Sequence, residues 1–198
     1  IFAIATNQRA EMGALDAVKQ SMQRGQSIVD VALAAGETIT KALEEQKSLA
    51  VAIESSVAGS DAEKAYLADF NALGNEITKA LSGATFDGVN LFSATTTDAI
   101  AVKTGTAAAD TFTLKAASGA ATTVATSGGA VLRAGATAAI VDTALKGFTA
   151  ELGALGTKSK SLERSLSFTS KMQDAIEVGV GNLVDADLAK ESARLTAL

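Results

Sequence analysis

The 198-residue chain contains no cysteine, no proline, no histidine and no tryptophan, and aromatics make up only 4% of it. Each absence removes a class of function. Without cysteine there is no disulfide framework and no thiolate metal centre. Without histidine the commonest general base and the commonest transition-metal ligand are missing. Without proline nothing forces a helix to break. The net charge is −5, from 17 basic and 22 acidic residues. Nucleic-acid binding needs a basic footprint, and this chain has none. No uninterrupted run of 18 apolar residues occurs, so no membrane-spanning segment is expected.

What is abundant is alanine, 42 of the 198 residues, and threonine, 21. Alanine favours helix and close helix–helix approach rather than a bulky core. The chain opens abruptly on Ile1-Phe2-Ala3-Ile4 with no cap residue ahead of it, the pattern expected where a helix is entered partway along.

Three zones separate by composition. In the first, Leu15, Val18, Met22, Val29, Leu33, Ile39 and Leu43 recur mostly at gaps of three, four or seven, a helical stripe. It predicts a long helix over 1–56, roughly 80 Å in length. Gly13, Gly25 and Gly36 interrupt its propensity, which points to close packing against a neighbour. Val57-Ala58-Gly59 reads as a stop and Ser60-Asp61-Ala62-Glu63 as a capping box. A second helix over 61–82 should follow, with Tyr66, Leu67, Phe70, Leu73, Ile77 and Leu81 on one stripe and Gly83 at its end.

The middle zone, 86–135, is expected to hold a β-hairpin and a loop. Ala99–Val102 and Thr111–Leu114 are β-compatible runs separated around Gly105, and Ser118–Gly129 is rich in small residues. The last zone predicts a long helix over 136–198. Val141, Leu145, Phe148, Leu152, Leu155, Ser159, Leu162, Leu166 and Thr169 alternate gaps of four and three, continued by Ile176 and Val180. A heptad-like stripe of that length needs partner helices. The fold expected over 1–198 is therefore mainly α: one long antiparallel helical bundle or coiled-coil rod with a small β-hairpin. Its core should include Leu15, Val18 and Met22 from the first helix and Phe148, Leu152, Leu155 and Leu162 from the last.

Catalytic chemistry is scarce. Gly179-Val180-Gly181 lacks the third glycine of a dinucleotide fingerprint. Asp185-Ala186-Asp187 supplies too few oxygen ligands for a metal. No Ser-x-x-Lys spacing offers an activated serine. The expectation is a non-enzymatic chain without cofactor or metal.

Four segments resemble bacterial flagellin. They are IFAIATNQRA (1–10), QRGQSIVDVALAA (23–35), GATFDGVNLF (83–92) and NLVDADLAKESARLTAL (182–198), the last being the most specific. The wording is most similar to the short flagellins of alphaproteobacteria, and the order of segments covers the whole chain. The resemblance implies a structural subunit of an extracellular flagellar filament, secreted unfolded. Its partners would be other flagellin subunits, an export chaperone and cap proteins. It also implies that the terminal segments that polymerise in the family lie outside this chain, which should then stay monomeric or weakly associated in dilute solution. The hook–filament junction protein is the alternative within the same class, and a non-flagellar signalling coiled coil a more distant one. Many flagellins meet a vertebrate Toll-like receptor through a first-helix motif reading Leu-Gln-Arg-Val-Arg-Glu-Leu-Ala. The matching stretch here is Leu43 to Ala50, with Glu45, Lys47 and Ser48 at the motif's two arginines and its glutamate, and Leu43 and Leu49 kept. The resemblance thus implies weak recognition by that receptor.

Overall fold

With no proline to interrupt it, the first apolar stripe runs as a single helix, α1 (Phe2–Ser55). The structure is a computed structural model that describes residues 1–92, 100–114, 121, 124–125 and 130–197. Helix α2 spans Asp61–Gly83 and helix α3 Ala138–Thr196. Strands β1 (Thr85–Phe86) and β2 (Val89–Asn90) form one two-stranded ladder. Strands β3 (Ile100–Lys103) and β4 (Thr111–Leu114) form another. The fold is mainly α, with a small β component. Ala99 and most of the Ser118–Gly129 stretch lie outside the described residues.

Local chemistry explains the boundaries. Gly59 takes φ +78°, which ends α1 where a side chain would be strained. Ser60 then caps α2, its hydroxyl accepting from the Glu63 amide at 3.2 Å. The return bond differs from an ideal capping box: the Glu63 carboxylate accepts from Gly59 N at 3.4 Å, because Ser60 N already donates to Val57 O. At the other end Gly83 stays helical, and Ala84 (φ −76°, ψ 48°) ends the helix. Asn90 Nδ2 satisfies the Leu81 carbonyl there at 2.7 Å. Thr137 caps α3 by accepting from Ile140 N at 3.2 Å, which places the helix start at Ala138 rather than residue 136.

The segment GATFDGVNLF is itself a hairpin. Thr85 pairs with Asn90 and Phe86 with Val89, antiparallel. Asp87 and Gly88 both have positive φ, 51° and 76°, the mirror-image turn that matches strand twist.

Packing groups the chain into two compact units, with α1 and α3 contributing to both. The first holds Ile1–Gln26, Ala101–Thr113 and Lys160–Leu198. Its core includes Leu15, Val18, Met22, Val102, Leu162 and Val180, with the hydroxyl of Thr169 also buried. Gln173 reaches from α3 to Asp16 on α1 at 2.6 Å, and Lys103 N donates to Ser21 Oγ at 3.2 Å.

The second unit holds Ser27–Ile100 and Leu114–Ser159. Here α1 supplies Ile39, Leu43 and Ile53, α2 supplies Phe70, Ile77 and Leu81, and α3 supplies Val141, Phe148 and Leu155. Phe92 and Phe148 pack as tilted rings, centroids 5.6 Å apart. Within this unit Gly36 meets Leu152 and Lys47 meets Asp142, so α1 and α3 run antiparallel. Of the three glycines in α1, Gly36 is the one against which Leu152 packs; a Cβ at Gly13 would meet open space. Tyr66, on the same α2 stripe, is 37% exposed.

Candidate interaction surface

The Leu43–Ala50 segment is divided by helix geometry into three faces. Leu43, Gln46 and Ala50 repeat at three and four residues and are fully or almost fully buried. Gln46 donates through Nε2 to Phe70 O (3.1 Å) and Val124 O (3.3 Å), tying α1 to α2 and to Val124. Its Oε1 is buried without a hydrogen-bond partner. The sequence reading passed over Gln46, although its spacing between Leu43 and Ala50 was the available signal.

Lys47 faces α3. Its ammonium donates to Asp142 Oδ1 at 2.7 Å, and Lys146 pairs with Asp142 Oδ2 at 2.9 Å. The hydrogen bond from Lys47, then that from Lys146, holds the Asp142 carboxyl down at about 2.

Glu45, Ser48 and Leu49 face the other way. Together with Asp69, Ala72, Leu73 and Glu76 of α2 they line a groove of about 470 Å³. Its lining carries three carboxylates and no cation, together with the apolar Leu49, Ala72 and Leu73. Of the five candidate positions, Leu43 therefore belongs to the core, Lys47 to an ion pair with α3, and Glu45, Ser48 and Leu49 to an open acidic groove.

One end of the same unit is fastened by Arg133, which no sequence motif singles out. Its Nη2 donates to Glu54 O (3.2 Å) and Ser56 O (3.1 Å), carbonyls left over at the end of α1. Its Nη1 pairs with Glu63 of the α2 cap. That hydrogen bond is the main reason the Glu63 carboxyl is held below its ordinary range. Glu54 in turn accepts from Ala138 N at 2.7 Å, occupying the first turn of α3.

In the seven-residue core proposed from sequence, Phe148, Leu155 and Leu162 are 0–1% exposed, and Met22 is fully buried. Leu15 and Val18 are buried with 8% and 6% exposed, while Leu152 is half-buried against Gly36. The first unit also carries an open apolar surface. Phe2, Phe168, Val178, Leu188 and Leu195 are each more than 60% exposed. A groove of about 290 Å³ there is lined by Ile4, Gln8, Met172, Ala175, Ile176, Gly179, Val180 and Leu183. Among the described residues no cluster of His, Cys, Asp or Glu could hold a metal ion. Among them also, no helix is long and apolar enough to cross a membrane.

Residues 1–97 match the bacterial flagellin N-terminal helical region, and residues 138–198 match the bacterial flagellin C-terminal helical region. Flagellin FljM of Caulobacter vibrioides is 44% identical over 200 residues, covering all of this chain and 73% of FljM. Flagellin FljO of the same organism is 42% identical over the same shares. A flagellin of Brucella melitensis is 33% identical over 212 residues, covering all of this chain and 74% of its own length.

Proposed function

The chain belongs to the bacterial flagellin family, and as a structural subunit of the flagellar filament we propose that it assembles through the apolar surface of its first unit. Self-association with other flagellin subunits follows from that membership, and the filament so built is extracellular. The observation that carries the assembly reading is the exposure of Phe2, Phe168, Val178, Leu188 and Leu195 on one compact unit. Large apolar side chains left open to solvent in this number are costly until a partner covers them. The work is mechanical: helices that hold their length transmit load from subunit to subunit, and no reaction is involved.

Secretion before assembly, with an export chaperone holding the subunit and a cap placing it, extends this proposal by family likeness. The composition supports it. A chain with no proline and no disulfide has no slow isomerisation or reshuffling step to delay unfolding and refolding. Weak engagement of the vertebrate Toll-like receptor is part of the same proposal. Its support is the placement of Glu45 and Ser48 on an acidic groove, where the family motif has an arginine and a glutamate.

The test is electron microscopy of the full-length subunit under polymerising conditions, beside a variant with Phe168→Ser and Leu188→Ser. Filaments from the unmodified protein and a loss of assembly in the variant are expected. Unchanged filaments from the variant would remove this surface from the interface.

A further inference from the structure

Charge and apolarity are distributed along α3 in a pattern that the first unit's own packing does not use. Lys160, Arg164 and Lys171 are all exposed. At 100° per residue they fall within about 40° of one another on the helix. Phe168, 64% exposed, lies beside them. The stripe extends over about 16 Å. The groove between α1 and α2 has the opposite character. Glu45, Asp69 and Glu76 supply its charge, and Leu49, Ala72 and Leu73 its apolar lining. From Asp69 to Glu76 it runs about 10 Å along α2.

We propose that the acidic groove of one subunit receives the Lys160–Lys171 face of α3 from a second copy of the chain. This rests on the filament reading above and names one of its contacts. Three carboxylates on the groove meet three cations on the stripe, and Phe168 packs on the apolar lining residues. A helix laid in a groove with an aromatic at the centre and charges at the rim is a recurrent recognition mode. Rim charges set orientation and association rate more than bulk affinity. The contact therefore fixes which face of the neighbouring subunit docks, and it weakens with salt as screening shortens to about 3 Å at 1 M.

Charge exchange in the full-length subunit tests the pairing. One variant carries Glu45→Lys, Asp69→Lys and Glu76→Lys; a second carries Lys160→Glu, Arg164→Glu and Lys171→Glu; a third carries all six changes. The critical concentration for polymerisation should rise about tenfold or more in each triple variant, as attraction turns to repulsion across the rim. It should return toward the parent value in the six-fold variant. Circular dichroism melting establishes that each variant is folded. A second measurement needs no charge change. The chain has no cysteine, so subunits with Ala72→Cys mixed with subunits carrying Phe168→Cys should yield a disulfide-linked dimer within filaments on oxidation. Failure of the parent protein to form filaments would overturn the filament reading itself. Filaments that form normally from either triple variant, a six-fold variant that is not rescued, or the absence of the cross-linked dimer would overturn this contact alone.

Discussion

Arg133 lies 79 residues along the chain from Glu54, and its guanidinium donates to the Glu54 carbonyl at 3.2 Å. The Glu54 side chain meanwhile caps α3 at Ala138. Two elements that enter the unit at different points are thus fastened by exchanged backbone bonds. Arg133→Ala should lower stability by about 1–3 kcal/mol, the range for losing charge-assisted hydrogen bonds, here to the exposed Glu54 carbonyl and the half-buried Ser56 carbonyl. For a chain of this size that is about 2–4 °C of melting temperature per kcal/mol. Arg133→Lys should recover little, because an ammonium cannot span both carbonyls and Glu63 as the planar fork does. Thermal denaturation of the two variants decides it; equal stability in Arg133→Ala would mean water replaces the guanidinium at no cost.

Gly36 and Gly13 occupy the same helix and should respond in opposite fashion. Both are expected to gain about 1 kcal/mol of helix propensity on change to Ala. At Gly13 the new methyl meets open space, so the gain should appear in full. At Gly36 it would collide with the Leu152 isobutyl group, so the gain should be cancelled or reversed. In a Leu152→Ala background the two substitutions should become alike. A double-mutant cycle that shows no coupling between positions 36 and 152 would mean the helices part easily there.

Leu155 is 1% exposed in the second unit. Leu155→Ala should cost about 2–5 kcal/mol through lost burial and the cavity left behind. Denaturant unfolding that returns the parent midpoint would place Leu155 outside a packed core.

Two carboxyls give stability opposite dependences on pH. Asp142 titrates near 2, against an ordinary 3.8, because Lys47 and Lys146 bind its ionised form. A depressed carboxyl contributes fully above its unfolded value and loses that contribution as pH falls through about 2. Asp142→Asn should flatten the acid limb between those values. Glu151 is pushed up to about 7 by burial, and its Oε2 has no hydrogen-bond partner. Here the folded state holds the proton more tightly, so stability declines as pH rises from the ordinary 4.5 through about 7. Glu151→Gln should raise the melting temperature at pH 8 and change it little at pH 4.5. Parallel melts over that range check both signs.

The receptor proposal gives the last prediction. The full-length monomer should activate a Toll-like receptor reporter poorly, and Glu45→Arg with Lys47→Arg and Ser48→Glu should increase the response. Most of the gain should come from position 45, since Lys47 already serves Asp142 and only Glu45 and Ser48 share the groove. An unpaired or reversed charge at a buried interface costs about 2–5 kcal/mol, so the difference should be large. Strong activation by the unmodified protein would contradict it.

The long helices were legible because their apolar stripes persist over many turns and no proline breaks them. Even the hydroxyl positions Ser159 and Thr169, placed on the α3 seam by spacing alone, are buried. The Ser60 cap was legible for the same local reason. The Asp87-Gly88 hairpin carries a clear local turn signal in its Asp-Gly pair. Arg133 was not legible, since its partners at Glu54, Ser56 and Glu63 become neighbours only after the chain folds back on itself. The groove was half visible: Glu45 and Ser48 stood out, but Asp69 and Glu76 looked like any solvated α2 face. Which side of α1 faced α2 depended on Gln46, a polar residue in an apolar register.

The bonds that join α1 to α3 also set the order of events during folding. Asp16 reaches Gln173 across 157 residues of sequence, and Lys47 reaches Asp142 across 95. Contacts of such separation give a high contact order, and high contact order slows folding because long loops must close before any pairing is rewarded. A nascent chain would present the α1 stripe without its α3 partner until its final third has been made. The kinetic expectation is that α1 alone gains little stable helix, and that refolding of the whole chain is slowed far more by changes in the α1–α3 seam than by changes in the local β1–β2 hairpin. Stopped-flow refolding of Leu155→Ala beside Val89→Ala would read that difference, and equal slowing of the two would assign the nucleus elsewhere.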